Sequence, residues 1–216
     1  GNDSLSGEAG DDSLYGGLNA DTLSGGIGAD YVAGDSGNDS LLAGDGDDNV
    51  SGGLGDDTVL GGLGADTVEG DEGGDSISGE AGNDEIGTWV GNDTVLGGDG
   101  DDTIFAGIGG SQPFGIGDYY GSDDDSVAGG NGNDLIRGGS GSDTILGEAG
   151  NDDIEAGQGN DNANGGLGDD FVNGEDGFDS LKGEGGNDTI NGEFGIDTVD
   201  GGDGADELYG GANRDL

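Results

Sequence analysis

An aspartate returns every nine residues through nearly the whole chain, and so short a period limits what the chain can build. The first series is Asp3, Asp12, Asp21, Asp30, Asp39, Asp48, Asp57, Asp66, Asp75, Asp84, Asp93 and Asp102. The second is Asp125, Asp134, Asp143, Asp152, Asp161, Asp170, Asp179, Asp188, Asp197, Asp206 and Asp215. Two residues after each Asp stands an aliphatic side chain, from Leu5, Leu14 and Leu23 to Ile190, Val199 and Leu208, and Ala163 alone breaks that rule. Two residues before nearly every Asp is a Gly. Nine residues are too few for a helix and its connections. A Gly-rich run of six followed by a triplet such as Thr58-Val59-Leu60 reads as a turn and then a short strand. The residue two after Asp is expected to point inward and its two neighbours outward, as strand alternation requires.

Composition shows that this pattern cannot stand unaided. Leu, Ile, Val and Phe make up 41 of 216 residues, while Asp and Glu number 50 against three basic residues, a net charge of -47. A chain so poor in apolar residues and so charged falls in the disordered class. Its 59 glycines add to the entropy lost on folding. A stable fold therefore needs a further stabilising partner, and the charge requires that partner to be cationic. Without it, like charges stacked along an edge repel and the chain is expected to be a disordered acidic coil.

Segments such as Gly61-Gly62-Leu63-Gly64-Ala65-Asp66-Thr67-Val68 and Gly97-Gly98-Asp99-Gly100-Asp101-Asp102-Thr103-Ile104 resemble the repeat of the RTX, or haemolysin-type calcium-binding, family. The resemblance extends over roughly nine-tenths of the chain and rests on all the in-phase aspartates above. It implies an all-β fold, a parallel β-roll in which two nonapeptides make one coil of 18 residues, with about twelve turns. It also implies that calcium ions lie between coils, each held by two Asp carboxylates 18 residues apart and by turn carbonyls. Carried over residue by residue, Asp57 pairs with Asp75 and Asp66 with Asp84, and all 23 aspartates above become ligands. About twenty such gaps are expected. Twenty divalent ions would reduce the charge of -47 to -7. Magnesium suits the pattern less well, because it demands tight octahedral geometry and keeps its waters.

The phase breaks once. From Asp102 to Asp125 is 23 residues, which reads as one coil plus five. On that reading residues 106–114 are a degenerate repeat, with Ser111 at the Asp position and Pro113 at the inward position, and Gly115 to Tyr119 bulge out. The chain then divides into a first block 1–105, an interruption 106–124 and a second block 125–216 of one continuous solenoid. Asp102 would be followed on its edge by Asp125, and Ser111 by Asp134, leaving incomplete calcium sites beside Ser111. Trp89 is expected to pack over that gap, and Trp89, Phe114, Tyr119 and Tyr120 form a possible ligand patch. The residues after Asp form a hydroxyl series: Ser4, Thr22, Ser40, Thr58, Ser76 and Thr94. The same reading moves its continuation, Ser126, Thr144, Asn162, Ser180 and Thr198, to the opposite face. Such a switch argues against a face tuned to ice or a polysaccharide.

Cys and His are both absent, which removes disulfides, thiol chemistry, the usual zinc ligand and the usual general base. No G-x-S-x-G elbow occurs and the carboxylates are periodic, so no enzyme is expected. So acidic a surface disfavours nucleic acid, and no apolar run reaches the length of a membrane span. The chain opens at Gly1 and closes at Leu216 in mid-repeat, so it reads as part of a longer polypeptide. The expected function is calcium binding by a secreted, extracellular module, exported unfolded by a type I route and folded outside the cell as a stiff scaffold or spacer. The alternative is a polysaccharide- or surface-binding module of an adhesin, surface-layer protein or extracellular enzyme.

Overall fold

A computed structural model describes residues 1–107 and 123–212. Among them every regular element is a strand, and the strands are stacked in two parallel sheets. Sheet one contains Ser4–Ala9, Thr22–Ile27, Ser40–Asp45, Thr58–Leu63, Ser76–Ala81, Thr94–Asp99, Ser126–Asn131, Thr144–Ala149, Asn162–Leu167, Ser180–Gly185 and Thr198–Asp200, in that order. Sheet two contains Ser13–Leu18, Tyr31–Ser36, Asn49–Leu54, Thr67–Glu72, Glu85–Gly87, Thr103–Phe105, Leu135–Ser140, Asp153–Gly159, Phe171–Gly177, Thr189–Asn191 and Glu207–Tyr209, with Phe194–Gly195 beside Phe171–Gly177. Outside the interruption each strand pairs with the one 18 residues on, so the chain alternates between sheets and climbs one rung per coil. The architecture is the β-roll, with eleven coils.

One inward residue per nonapeptide makes the core. Val32, Val59, Val68, Ile86, Val95, Ile104, Ile136 and Ile154 are completely buried. Register explains the columns: Leu23 sits over Leu41, Leu41 over Val59, Val59 over Ile77 and Ile77 over Val95. Ala163, the exception in the sequence, holds the same inward place and is fully buried between Ile145 and Leu181. Leu5 and Val199, near the two ends, are only partly buried.

Counting the motif from its first glycine, positions two and four carry the turn. At Gly62 φ is 124° and at Gly64 it is 130°, both in the left-handed region that favours glycine. The two positions differ in tolerance. Position two holds Glu8, Asp35, Asp71, Glu80, Glu148, Glu175, Glu184 and Glu193 at φ between 61° and 76°. A Cβ on the glycine backbone would meet the coil below at either position, 2.0 Å from the Gly44 carbonyl oxygen at Gly62 and 2.0 Å from that of Gly46 at Gly64, and the acids at position two sit at a lower φ than these glycines. Coils stack through backbone at both positions, and position four is glycine in nearly every repeat, with Asn19 at φ 77° and Asp123 as exceptions.

The interruption differs from its expected register. Thr94 pairs with Ser126 and Val95 with Val127 on sheet one, while Thr103 pairs with Leu135 and Ile104 with Ile136 on sheet two. Asp93 is therefore followed by Asp125, and Asp102 by Asp134, each across 32 residues instead of 18. The surplus is fourteen residues, not five, and the paired strands on either side of it are direct neighbours in both sheets; the described residues make eleven coils where about twelve were expected. The Ala106 N–H donates to the Arg137 carbonyl and the Asp123 N–H to the Ser140 carbonyl, so the residues on both sides keep their hydrogen bonds to the next coil. A coil containing Pro113 at a ladder position would lack a backbone donor, and Ser111 would leave its edge without a carboxylate. Ser111, Pro113, Phe114, Tyr119 and Tyr120 lie outside the described residues.

This register also corrects the hydroxyl series. Ser4, Thr22, Ser40, Thr58, Ser76, Thr94, Ser126, Thr144, Asn162, Ser180 and Thr198 form one unbroken column on sheet one. It does not change face.

Candidate metal centres

The position-six aspartates form two rows, one at each edge of the flattened coil. The first runs Asp3, Asp21, Asp39, Asp57, Asp75, Asp93, Asp125, Asp143, Asp161, Asp179 and Asp197. The second runs Asp12, Asp30, Asp48, Asp66, Asp84, Asp102, Asp134, Asp152, Asp170, Asp188 and Asp206. Asp215 lies outside the described residues. Asp21 to Asp197 on the first edge and Asp30 to Asp188 on the second are at most 3% exposed. Burying so many carboxylates without a basic partner is costly unless each finds other compensation.

Half of that compensation is visible. One carboxylate oxygen of each Asp accepts the backbone N–H of the Asp one coil back: Asp57 N to Asp75 Oδ1 is 2.8 Å, and Asp66 N to Asp84 Oδ1 is 2.9 Å. The second oxygen is enclosed and has no hydrogen-bond partner, and this holds from Asp12 through Asp188 on both edges, apart from Asp93, where the Thr88 hydroxyl stands close. This oxygen borders a small space beside the position-one residue. A methyl group on Gly61 would lie 2.7 Å from Asp66 Oδ2 and 2.8 Å from the carbonyl oxygen of Gly79. Strand pairing also skips position one: Thr58, Val59 and Leu60 pair with the coil above, Gly61 does not, and Gly62 and Leu63 do again. An orphaned carboxylate oxygen and a carbonyl thus face the same space, coil after coil.

Burial pushes these carboxyl groups up, and the N–H from the coil below only partly offsets it. Asp57, Asp66, Asp143 and Asp179 rise to about 6. Asp75, Asp102, Asp152 and Asp161 rise to about 7. Asp125 rises to about 8, with burial first and the charges of Asp93, Asp143 and Asp123 adding to it. A cation beside the second oxygen would oppose all of these effects.

The donors are oxygen only. Among the described residues no three carboxylates, imidazoles or thiols converge on one point. A cation here would take two carboxylates at most and complete its shell from turn carbonyls. That oxygen-rich, carbonyl-heavy set suits a hard cation of high coordination number, not a transition metal.

The expected incomplete site is not found. With Asp125 directly above Asp93 at 2.8 Å and Asp134 directly above Asp102 at 2.8 Å, both edges continue without a missing carboxylate. Trp89 has no such gap to cover; it is half-buried at position two of the turn before Asp93, with its indole N–H enclosed and unpartnered. Its proposed neighbours Phe114, Tyr119 and Tyr120 lie outside the described residues. What distinguishes this place is Thr88, fully buried at position one, whose hydroxyl accepts the Gly107 N–H at 3.2 Å. Asp123 replaces the position-four glycine of the interrupted turn, and its Oδ2 accepts the Gly91 N–H at 3.1 Å.

Sequence reasoning passed over a second ladder. The residue before each edge Asp is often Asn or Asp, and its side chain accepts the N–H of the equivalent residue one coil on. Ala65 N to Asp47 Oδ1 is 2.9 Å, Asn151 N to Asn133 Oδ1 is 2.8 Å and Asp169 N to Asn151 Oδ1 is 2.8 Å. These bonds run opposite in sense to those of the edge aspartates, so each coil is tied to both neighbours. The Asn/Asp bias at position five was the signal.

The profile of the RTX calcium-binding nonapeptide repeat matches residues 1–32, 24–59, 60–95, 90–112, 119–154, 146–181 and 182–216. No individual curated protein matches the chain. Repeat, coil and edge geometry agree with that match over nearly the whole length, and the chain belongs to the RTX calcium-binding nonapeptide repeat family.

Proposed function

We propose that each gap between successive aspartates on an edge takes one calcium ion, and that these ions complete the fold of a stiff extracellular spacer. The observation that carries this reading is the row of buried, unpartnered Asp oxygens on both edges. A calcium ion between Asp57 and Asp75, or between Asp66 and Asp84, would satisfy the orphan oxygen and draw on position-one carbonyls such as that of Gly79. Eleven described aspartates on each edge leave ten gaps apiece. Twenty ions would bring the charge from -47 to -7, a level compatible with a compact rod. Eleven coils about 4.8 Å apart span about 50 Å. Low calcium inside a cell would keep the chain unfolded for export, and millimolar calcium outside would fold it. This role is that of a module within a longer secreted polypeptide, without catalysis of its own.

Ion selectivity tests the reading. A calcium-stripped chain titrated with calcium should gain β-sheet circular dichroism in the range of about 0.1–1 mM expected of extracellular sites. The same concentrations of magnesium should leave it a coil. Equal folding by both ions would show that charge neutralisation alone suffices and that the edges are not calcium sites.

A further inference from the structure

The continuous register of sheet one creates a surface that two half-length faces would not. Its outward side chains form two columns, the residues one and three after each edge Asp. Over nine coils, from Ser4 to Asn164, neither column holds a charged residue, in a chain of net charge -47. The first column is exposed Ser and Thr with Asn162 as the exception. The second carries exposed leucines: Leu42 (42%), Leu60 (37%), Leu96 (51%) and Leu146 (36%). The equivalent columns of sheet two carry Glu69, Glu85, Arg137, Asp153 and Glu155, so the roll as such does not impose neutrality. Glu8, Glu80 and Glu148 at position two stand along one margin of the sheet-one strip.

We propose that this outer face of sheet one is a docking strip for a neutral, extended, β-linked polysaccharide. Nine rungs make a strip about 40 Å long, and two residues along a strand set the columns about 7 Å apart. The strip is therefore long and narrow, the shape of a linear polymer and not of a globular partner. Rungs repeat about every 4.8 Å, close to the length of one pyranose in an extended chain. Hydroxyls can donate to and accept from sugar hydroxyls at each rung, while the leucines offer apolar contact to the C–H faces of the rings. Neutrality excludes the strong attraction that a polycation would seek and avoids repelling an uncharged polymer. A second copy of the chain fits less well. Face-to-face pairing over this strip would bury roughly 800 Å² in total, short of the roughly 1,200 Å² of a stable interface, and would bring two anionic rods together.

The experiment uses the calcium-loaded chain and two insoluble neutral β-glycans, microcrystalline cellulose and chitin, in sedimentation binding assays. Retention on at least one is expected. The double variant Leu60→Glu with Leu96→Glu should lower the association constant by about tenfold or more. A control pair on sheet two, Asn49→Glu with Phe171→Glu, should leave it unchanged. Circular dichroism in calcium establishes that each variant keeps the roll, so loss of binding and loss of fold are distinguished. No retention on either polymer, or retention insensitive to the leucine variants, would overturn the proposal. So would a dimer in calcium that the leucine variants dissociate, which would assign the strip to self-association.

Discussion

Stripped of calcium at pH 7.5 and low salt, the chain is expected to lose its β-sheet signal altogether, and acidification towards pH 5 should restore part of it without any metal. The first half follows from a core of one aliphatic side chain per nine residues set against stacked buried carboxylates. Ion binding is then a large part of the folding free energy. The second half follows from the direction of the carboxyl shifts. In the metal-free roll, burial holds Asp57 and Asp66 at about 6, Asp75 and Asp152 at about 7 and Asp125 at about 8. In the unfolded chain they ionise near 3.8. Between those limits the folded state binds more protons than the unfolded one, so its stability falls as pH rises. The contribution is complete below about 4 and is lost as pH climbs through 6 to 8. Calcium reverses the preference because it binds the ionised form. With calcium present, the roll should be most stable at neutral pH and should release its ions as pH falls. A metal-free chain equally folded, or equally unfolded, at pH 5 and 7.5 would contradict this balance.

Replacing Asp66 by alanine should cost far more than replacing Asp3. Asp66 is buried in the middle of its edge, and its Oδ1 accepts the Asp48 N–H at 2.8 Å. Its loss leaves that buried donor unpaired, about 1–3 kcal/mol, and weakens the ions on both sides, towards Asp48 and towards Asp84. A total of about 3 kcal/mol or more is expected, with the calcium midpoint of folding moved upward. Asp3 is exposed at the first coil and borders one gap, so its replacement should stay within about 0.5 kcal/mol. Coupling in a stacked repeat is between nearest neighbours, so an interior lesion divides the array while an end lesion frays it. Calorimetry in saturating calcium that found similar losses for both variants would show that the coils do not act as a coupled stack.

Much of this molecule was legible because its phase is so regular. The coil length, the inward columns and, within each block, the two Asp rows follow from a nine-residue period and strand alternation, although Leu208 in the last coil is 48% exposed. The interruption was not legible. A spacing of 23 is one coil plus five residues or half a coil plus fourteen, and both restore the Asp phase. Packing chooses between them: Ala106 keeps the buried position-one place and Asp123 re-enters at position four, so Ser126 lands on Thr94. Spacing alone carries no information on which coil an inserted segment leaves. The single hydroxyl face was lost to the same ambiguity. Thr88 and the acids at position two were missed for another reason. They depart from the glycine consensus, and whether a Cβ is tolerated depends on the coil stacked below. A Cβ on Gly62 or on Gly64 would lie 2.0 Å from a carbonyl oxygen of the coil below, whereas Glu80 and Glu148 hold position two at φ 74° and 76°, well below the 124° of Gly62.

The most direct test is anomalous scattering from crystals grown in calcium. Two rows of anomalous peaks are expected, one along each edge, at the coil spacing of about 4.8 Å. Each peak should lie beside an Asp Oδ2 and a position-one carbonyl, and the rows should continue without a gap between Asp93 and Asp125 and between Asp102 and Asp134. A folded chain in calcium whose edges show no such peaks would contradict the account.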